Sequence, residues 1–221
     1  MRKVFITTLV VFCSICSYSQ IKLGLKISPN LSWNRIDDAS DSLSNLGVRL
    51  RNGGGAFLDY EFSDNYAFHS GLFYTTKSAG VKFVVQDSTI STDSSITMSL
   101  QYLQIPVAIK LFTNEIGTNM RMYFEVGGTI NTNIAAKFNG DKSFQNENQE
   151  AVEYTKNISF FDLSALISIG VEMQMGEETW VLGGLSYNRG LLNANSKKYG
   201  FQIDGFQMYS EYLSLDVGLK F

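Results

Sequence analysis

Apolar and polar residues alternate with a period of two over most of the chain. The clearest case is residues 121–138, where the even positions are mostly apolar and the odd positions mostly polar. The same alternation runs through residues 21–28 and 212–221. A helix would mix both classes on every face, so this pattern predicts strands with one apolar and one polar face.

Applied to the whole chain, the pattern predicts eight strands. They cover residues 21–33, 52–62, 66–85, 98–112, 121–138, 157–175, 179–191 and 206–221. The connections alternate in length. Short ones lie at 63–65, 113–120 and 176–178, and long polar ones at about 34–51, 86–97, 139–156 and 192–205.

The short connections therefore lie at one end of the predicted sheet and the long ones at the other. This arrangement is typical of bacterial outer-membrane barrels, which have an even strand number, short periplasmic turns and longer outer loops. Tilted strands of roughly 9–11 residues span a bilayer, and the predicted strands reach that length. The sequence therefore predicts an all-β, eight-stranded, antiparallel, up-and-down transmembrane β-barrel, integral to the outer membrane.

The N-terminus predicts export. Arg2 and Lys3 precede an apolar stretch that is too short to span a membrane as a helix, and Ser17 and Ser19 stand at the −3 and −1 positions before Gln20. Residues 1–19 are thus interpreted as a cleaved signal peptide and residues 20–221 as the barrel domain. Both cysteines, Cys13 and Cys16, lie in the signal, so the mature chain has no disulfide.

Within a strand, residues with odd numbers face one side of the sheet and residues with even numbers the other, and we call this the parity of a residue. Parity decides which side chains face lipid. In a membrane barrel the apolar set faces outward, which leaves ionisable groups of both signs to pair inside the tube. The predicted interior charge network is Lys22, Lys26, Asp59, Glu61, Lys110, Arg121, Glu125, Asp162, Glu172, Asp216 and Lys220. Glycines on the same parity, which we expect to make room for the longer side chains, are Gly24, Gly71, Gly127, Gly170, Gly184 and Gly218. Lys82, Arg189 and Glu211 fall on the outward parity, but toward the long-loop ends.

Aromatic residues lie at both ends of the outward-facing set. This position is typical of side chains at the two membrane–water interfaces. Near the short turns these are Phe62, Phe68, Phe124 and Phe221, and near the long loops Trp33, Tyr74, Phe138, Phe161, Tyr187 and Tyr209.

Several segments resemble the PorT-type outer-membrane β-barrel family of Bacteroidota. The most specific is Gln101-Tyr102-Leu103-Gln104-Ile105-Pro106-Val107, similar to that family's Tyr-Leu-Glu-Ile-Pro strand motif with Gln104 in place of Glu. The resemblance covers the mature chain and implies an eight-stranded outer-membrane barrel. It also implies that the terminal Phe221 is the aromatic signal that the barrel-insertion machinery reads. Pro106 cannot donate to a strand ladder, so we expect a bulge or gap in pairing there.

The candidate chemistry is sparse. His69, the single histidine, falls on the inward face and its neighbour Ser70 on the outward one, so we expect no hydrolytic triad and no enzyme. The inward carboxylates are interpreted as a neutralising network that plugs the tube. The sequence suggests no cofactor or metal site, and the net charge of −3 argues against a nucleic-acid partner.

The function hypothesis is a small, non-enzymatic outer-membrane barrel with a plugged interior and a structural or binding role in the cell envelope. Its expected partners are outer-membrane lipid and lipopolysaccharide, the assembly machinery during biogenesis, and an envelope or secretion partner. Two alternatives stay open: an accessory component of a type IX-like secretion complex, and a soluble β-barrel that binds a hydrophobic ligand.

Overall fold

The computed structural model describes the backbone of residues 20–37, 43–45, 47–87, 90–138, 141, 143–145, 151–153, 158–194 and 207–221. The predicted signal peptide lies outside the described residues. Nothing in these ranges is a helix long and apolar enough to cross a membrane.

The described residues form thirteen strands. In chain order these are β1 (Ile21–Ile27), β2 (Asn30–Asp37), β3 (Leu43–Asn45), β4 (Arg49–Arg51), β5 (Gly53–Ser63), β6 (Tyr66–Asp87), β7 (Ile90–Phe112), β8 (Met120–Phe138), β9 (Ser143–Gln145), β10 (Ala151–Glu153), β11 (Phe161–Gln174), β12 (Trp180–Gly190) and β13 (Gln207–Lys220).

Antiparallel pairing closes most of these strands into a ring. The order is β1-β5-β6-β7-β8-β11-β12-β13, and β13 pairs back with both β1 and β2. β2 continues the path of β1 along β13, and β4 continues that of β5 along β2. We therefore count β1 with β2 as one barrel strand and β5 with β4 as another. Together with β6, β7, β8, β11, β12 and β13 this gives a ring of eight barrel strands, which we call staves. The predicted eight-stranded antiparallel barrel is confirmed.

Pro29 interrupts the first stave, which the alternation predicted as one strand over 21–33. Its lack of an N–H breaks the regular ladder between β1 and β2. The stave nevertheless keeps its alignment, because Leu215 donates a backbone hydrogen bond to the carbonyl of Pro29 (3.0 Å). The second stave is similarly divided at Asn52 and begins at Arg49, three residues before the predicted start.

The predicted long loop at 86–97 is wrong. β6 continues to Asp87 and β7 starts at Ile90, so the two strands form a long hairpin that extends past the ring. β8 pairs with β7 only from Met98 onward. Thr and Ile in this segment favour an extended strand, but Ser, Thr and Asp outnumber its apolar residues, so the alternation that marks a strand is missing. Short strands also lie within the predicted loops at 34–51 and 139–156.

A β-bulge shifts the register between β7 and β8 near Ile134, where Gln101 pairs with Ala135 but Tyr102 pairs with Asn133. The extra residue reverses the alternation. Ala136, which an unbroken alternation places outward, is therefore buried. The side chain of Phe138, predicted as an interfacial aromatic, lies outside the described residues.

The outer wall is apolar and the inner space is largely polar. Leu25, Ile105, Val126 and Ile167 are among many apolar side chains exposed on the outside, while Asp59, Lys110 and Glu172 are buried inside. A soluble barrel has the opposite arrangement, since charged groups are costly in a dry core. Aromatic rings such as Phe57 and Tyr123 also face inward, which the sequence prediction omitted.

Candidate functional site

The strongest concentration of charge lies inside the barrel, near the short-turn end. We call the group of Asp59, Glu61, Lys110, Arg121, Glu172 and Lys220 the lower network. Its three acids and three bases balance. The strands of Asp59 and Glu172 lie four staves apart in the ring, and so do those of Lys110 and Lys220. The network therefore crosses the full width of the bore.

Each lysine of the lower network reaches acids on both sides of the barrel. Lys110 Nζ lies 2.8 Å from Asp59 Oδ2 and 3.4 Å from Glu172 Oε1. Lys220 Nζ lies 2.5 Å from Glu172 Oε2 and 3.6 Å from Asp59 Oδ2. Arg121 Nη2 joins Glu61 (2.7 Å) to Glu172 (3.1 Å). These contacts compensate much of the desolvation cost that each buried charge carries.

Aromatic rings surround the same cations. Arg121 stacks over Phe112, with its guanidinium carbon 3.7 Å from the ring centroid, and Lys110 Nζ lies 4.8 Å from the centroid of Tyr123. Such cation–π contacts add attraction where water is excluded. The lower end of the lumen is thus filled by charge and by rings together.

His69 lies directly above the lower network. Its Nδ1 is 2.5 Å from Asp59 Oδ1, and its Nε2 is 3.7 Å from Glu125 Oε1. A hydrolase would need a nucleophile in the place that Glu125 occupies. Ser70 instead donates its hydroxyl to the carbonyl of Pro106 (3.0 Å) on the neighbouring strand.

Lys26 and Asp216 form a second ion pair in the middle of the lumen, with 3.1 Å between Nζ and Oδ2. Ser186 donates to the same oxygen of Asp216 (2.5 Å). The pair belongs to neighbouring staves, so it lines the wall and does not cross the bore.

Gln104 is the residue that bridges the middle of the lumen. Its Nε2 donates to the hydroxyl of Tyr212 (2.9 Å), four staves away, and its Oε1 accepts from Thr75 (2.9 Å). An amide can donate and accept at once. In the segment that resembles the PorT motif, Tyr102, Gln104 and Pro106 face the lumen while Leu103 and Ile105 face lipid.

Lys77 and Asp162 form an upper ion pair, with 3.1 Å between Nζ and Oδ2, and both side chains are buried. Asn131 also donates to Asp162 (3.3 Å), and the Lys77 ammonium lies 4.7 Å from the ring centroid of Tyr102. The sequence analysis missed Lys77, although it shares the odd parity of His69 and Thr75 on β6. That parity was the signal that could have found it.

Between these layers lies a small polar cavity of about 40 Å³, lined among others by Lys26, His69, Gln104, Glu125 and Asp216. A water molecule needs roughly 10–15 Å³ of such space, so the cavity suits a few waters. Across the described part of the chain, no three His, Cys, Asp or Glu side chains are grouped as metal ligands.

The inward glycines make room for aromatic rings more than for charged chains. A Cβ at Gly24 would collide with the ring of Phe57, and one at Gly170 or Gly184 would collide with Tyr123. This corrects the expected reason for these glycines, because the rings Phe57 and Tyr123 fill the space beside them.

The remaining predicted residues are placed as follows. Lys22 is half-buried on β1 opposite Asp59 in the ladder, and among the described side chains no ion pair includes it. Pro106 lies in a stretch where the β6–β7 ladder skips from Ser70–Val107 to Phe73–Gln104. The predicted aromatics with described side chains are exposed or half-exposed: Trp33, Phe62, Phe68, Tyr74, Phe124, Phe161, Tyr187, Tyr209 and Phe221.

Comparison with known proteins agrees with this geometry. The model of a family described as outer membrane protein beta-barrel domain matches residues 17–196. The chain belongs to this family. Membership, together with the apolar outer wall, makes it a small integral protein of the outer membrane. The soluble-barrel alternative is therefore excluded.

Solved structures of small outer-membrane barrels are similar to the chain in fold. Neisserial surface protein A is 12% identical, with 92% of this chain and 98% of that chain covered and a TM-score of 0.51. OprG from Pseudomonas aeruginosa is 9% identical over 90% and 95% of the two chains, with a TM-score of 0.46. The Ail protein of Yersinia pestis, solved with a heparin analogue, is 13% identical over 91% and 99%, with a TM-score of 0.44. A search of curated proteins found no matching sequence.

Proposed function

We propose that this protein is a non-enzymatic and non-conducting barrel that serves the cell envelope through its long-loop end and its lipid-facing wall. The observation that carries the proposal is the lower network, which joins opposite staves and fills the bore. Gln104 and Tyr212 bridge the bore again above it (2.9 Å). Small barrels of eight strands are just wide enough for side chains to fill them.

Closure of the bore is tested by electrical recording. Purified, refolded protein is added to a planar bilayer in concentrated potassium chloride, beside a known open porin as the positive control. The proposal expects no current steps from the folded protein. Reproducible steps from protein that shifts on a gel between unheated and boiled samples would refute it.

The non-enzymatic assignment is supported by the surroundings of His69, whose two ring nitrogens each face a carboxylate. The test is release of fatty acid from outer-membrane lipid in mixed micelles by the wild type and by His69→Ala. We expect neither protein to release more than a boiled sample. Release by the wild type that His69→Ala abolishes would overturn the assignment.

A role as an accessory component of a type IX-like secretion complex is supported only by the resemblance of residues 101–107 to the PorT motif. In the barrel this segment faces the lumen and the lipid, so it reflects construction of the wall more than contact with a partner. Extraction in mild detergent distinguishes the roles. A partner retained at one-to-one stoichiometry favours the secretion component, and a lone barrel favours the envelope role.

A further inference from the structure

A group of charged side chains lies on the described part of the outer wall, where the lumen does not explain it. It lies on β2, β12 and β13 near the long-loop end, and we call it the outer-wall arginine cluster. Its members are Trp33, Arg35, Tyr187, Arg189, Tyr209 and Glu211. Outward-facing charges destabilise a barrel at the bilayer midplane but cost little at the membrane interface. Charged side chains on the wall therefore indicate the level of the interface.

Glu211 organises the cluster. Its side chain is 9% exposed although it lies on the outward parity, because other members of the cluster cover it. Oε2 accepts hydrogen bonds from Trp33 Nε1 (3.2 Å) and from the hydroxyl of Tyr187 (3.0 Å). Oε1 accepts from Arg35 Nη1 (2.7 Å). Three donors within the cluster thus hold the Glu211 carboxylate in place.

Among the described residues, both arginines keep N–H donors that no hydrogen bond occupies. The Arg35 side chain is 35% exposed and that of Arg189 57% exposed, and the Nε of Arg189 lies 3.8 Å from Glu211 Oε1. Each guanidinium has five N–H donors. Arg35 uses one of them in its hydrogen bond to Glu211, whereas the longer Arg189 contact is an ion pair without a hydrogen bond. Two arginines against one carboxylate also leave one net positive charge among the described side chains of the cluster.

Aromatic rings fix the depth of the cluster in the membrane. Trp33 and Tyr187 stack with their ring centroids 6.3 Å apart, and the Arg35 guanidinium lies 4.6 Å from the ring centroid of Tyr209. Further toward the short turns on the same strands, Leu31, Leu185 and Leu213 are exposed. Trp and Tyr favour the headgroup level, so the guanidinium groups beside them meet headgroups and not acyl chains.

From this placement we propose that the outer-wall arginine cluster is a binding site for a phosphate-bearing glycolipid of the outer leaflet, the lipid A portion of lipopolysaccharide. Guanidinium forks bind phosphate oxygens with two parallel hydrogen bonds, and the planar aromatic surface beside them suits a sugar ring. The inference rests on the membrane location and not on the proposed closure of the bore.

The test compares two variants that each lose two positive charges at the same end of the barrel. Arg35→Gln/Arg189→Gln removes the site, and Arg49→Gln/Lys137→Gln is the matched control on β4 and β8. Native mass spectrometry in detergent counts diphosphorylated lipid A bound to each protein. Loss of charge-assisted hydrogen bonds predicts roughly tenfold weaker binding for the site variant, and binding within about twofold of the wild type for the control.

Other ligands identify what is recognised. Lipid A without its phosphates is expected to bind the wild type weakly, and phosphatidylglycerol less well than diphosphorylated lipid A. Inorganic phosphate that displaces lipid A at millimolar concentration would show an ion site without lipid selectivity and would overturn the proposal. Equal binding of lipid A by the wild type and the site variant would overturn it as well.

Folding of each variant is checked by the shift on unheated gels. If the double variant does not fold, Arg189→Gln replaces it, because this side chain is more exposed and, within the described part of the chain, its one ion-pair contact is the long one to Glu211. In a Trp180→Phe background, Trp33 is the single tryptophan of the chain, and its emission reports the cluster directly. We expect lipid A to shift that emission in the Trp180→Phe protein, and to shift it less at the same lipid A concentration once Arg189→Gln is added. A shift of equal size in both proteins would contradict the proposal.

Discussion

Lys77 places a fully buried ammonium group in the upper lumen, where Asp162 is its ion-pair partner. Removing one member of such a pair leaves the other charge buried and uncompensated, at a cost of about 3–5 kcal/mol. We therefore expect Lys77→Met to lower the free energy of unfolding by that amount in urea titrations followed by tryptophan fluorescence.

The control for this prediction is Lys22→Met. Lys22 is half-buried at the short-turn end, and no ion pair among the described side chains includes it, so its loss is expected to cost less than about 1 kcal/mol. The double variant Lys77→Met/Asp162→Asn is expected to recover part of the loss. Equal effects of the two methionine substitutions would show that the Lys77–Asp162 pair does not stabilise the barrel.

Gly170 and Gly183 provide a second comparison between single residues. A methyl group at Gly170 would collide with the ring of Tyr123, whereas one at Gly183 would meet nothing within 4 Å. Overpacking of this kind costs about 1–3 kcal/mol. We expect Gly170→Ala to lower the temperature at which the band shift is lost on gels, and Gly183→Ala to leave it unchanged.

Single residues also mark the limit of the sequence prediction. Parity alone placed Asp59, Lys110 and Glu172 inside, because alternation and charge point the same way at those positions. It did not indicate which staves face each other across the bore, since ring position is a property of the closed sheet. It also did not predict the burial of Glu211, which depends on rings from two other strands.

At the level of elements, the hairpin formed by β6 and β7 extends beyond the ring. From Gly80 and Thr97 outward, its residues pair with one another and with β3, while β8 pairs with β7 only up to Met98. We expect replacement of residues 82–95 by Asn-Gly, a favoured two-residue turn, to leave a barrel that still shifts on unheated gels. Failure of the shortened protein to fold would show that the hairpin stabilises the ring.

The elements were predictable wherever lipid on one side enforces alternation, as in β8 before its bulge and in β13. The alternation is lost toward the tip of the hairpin, so residues 86–97 were predicted as a loop. Pro29 and the bulge near Ile134 were missed for a different reason. A break of one residue changes the register without changing the composition around it.

At the scale of the whole molecule, β13 closes the ring by pairing with β1 and β2, and Phe221 extends this pairing by two backbone hydrogen bonds. Phe221 donates its backbone N–H to the carbonyl of Leu23 (2.8 Å), and Leu23 donates to the carbonyl of Phe221 (2.9 Å). The Phe221 side chain itself is exposed on the outer wall. Its backbone and its ring therefore serve separable purposes.

We expect Phe221→Ala to refold in detergent as the wild type does, because both backbone bonds remain. In cells the same variant is expected to reach the outer membrane in smaller amounts, since the aromatic signal is missing. Deletion of Phe221 removes the backbone bonds and is expected to impair refolding as well. Gel shifts of refolded protein and of isolated outer membranes measure the two effects, and equal yields of all proteins in both would contradict the prediction.

The pairing of β13 with β1 and β2 has a consequence for biogenesis. A polypeptide whose synthesis stops before β13 cannot join its first and last strands, because β13 supplies the partners of β1 and β2. Such a fragment exposes two open sheet edges, which invite pairing with other chains. The barrel can therefore close only after β13 has been made, because the partners of β1 and β2 across the seam all lie on β13.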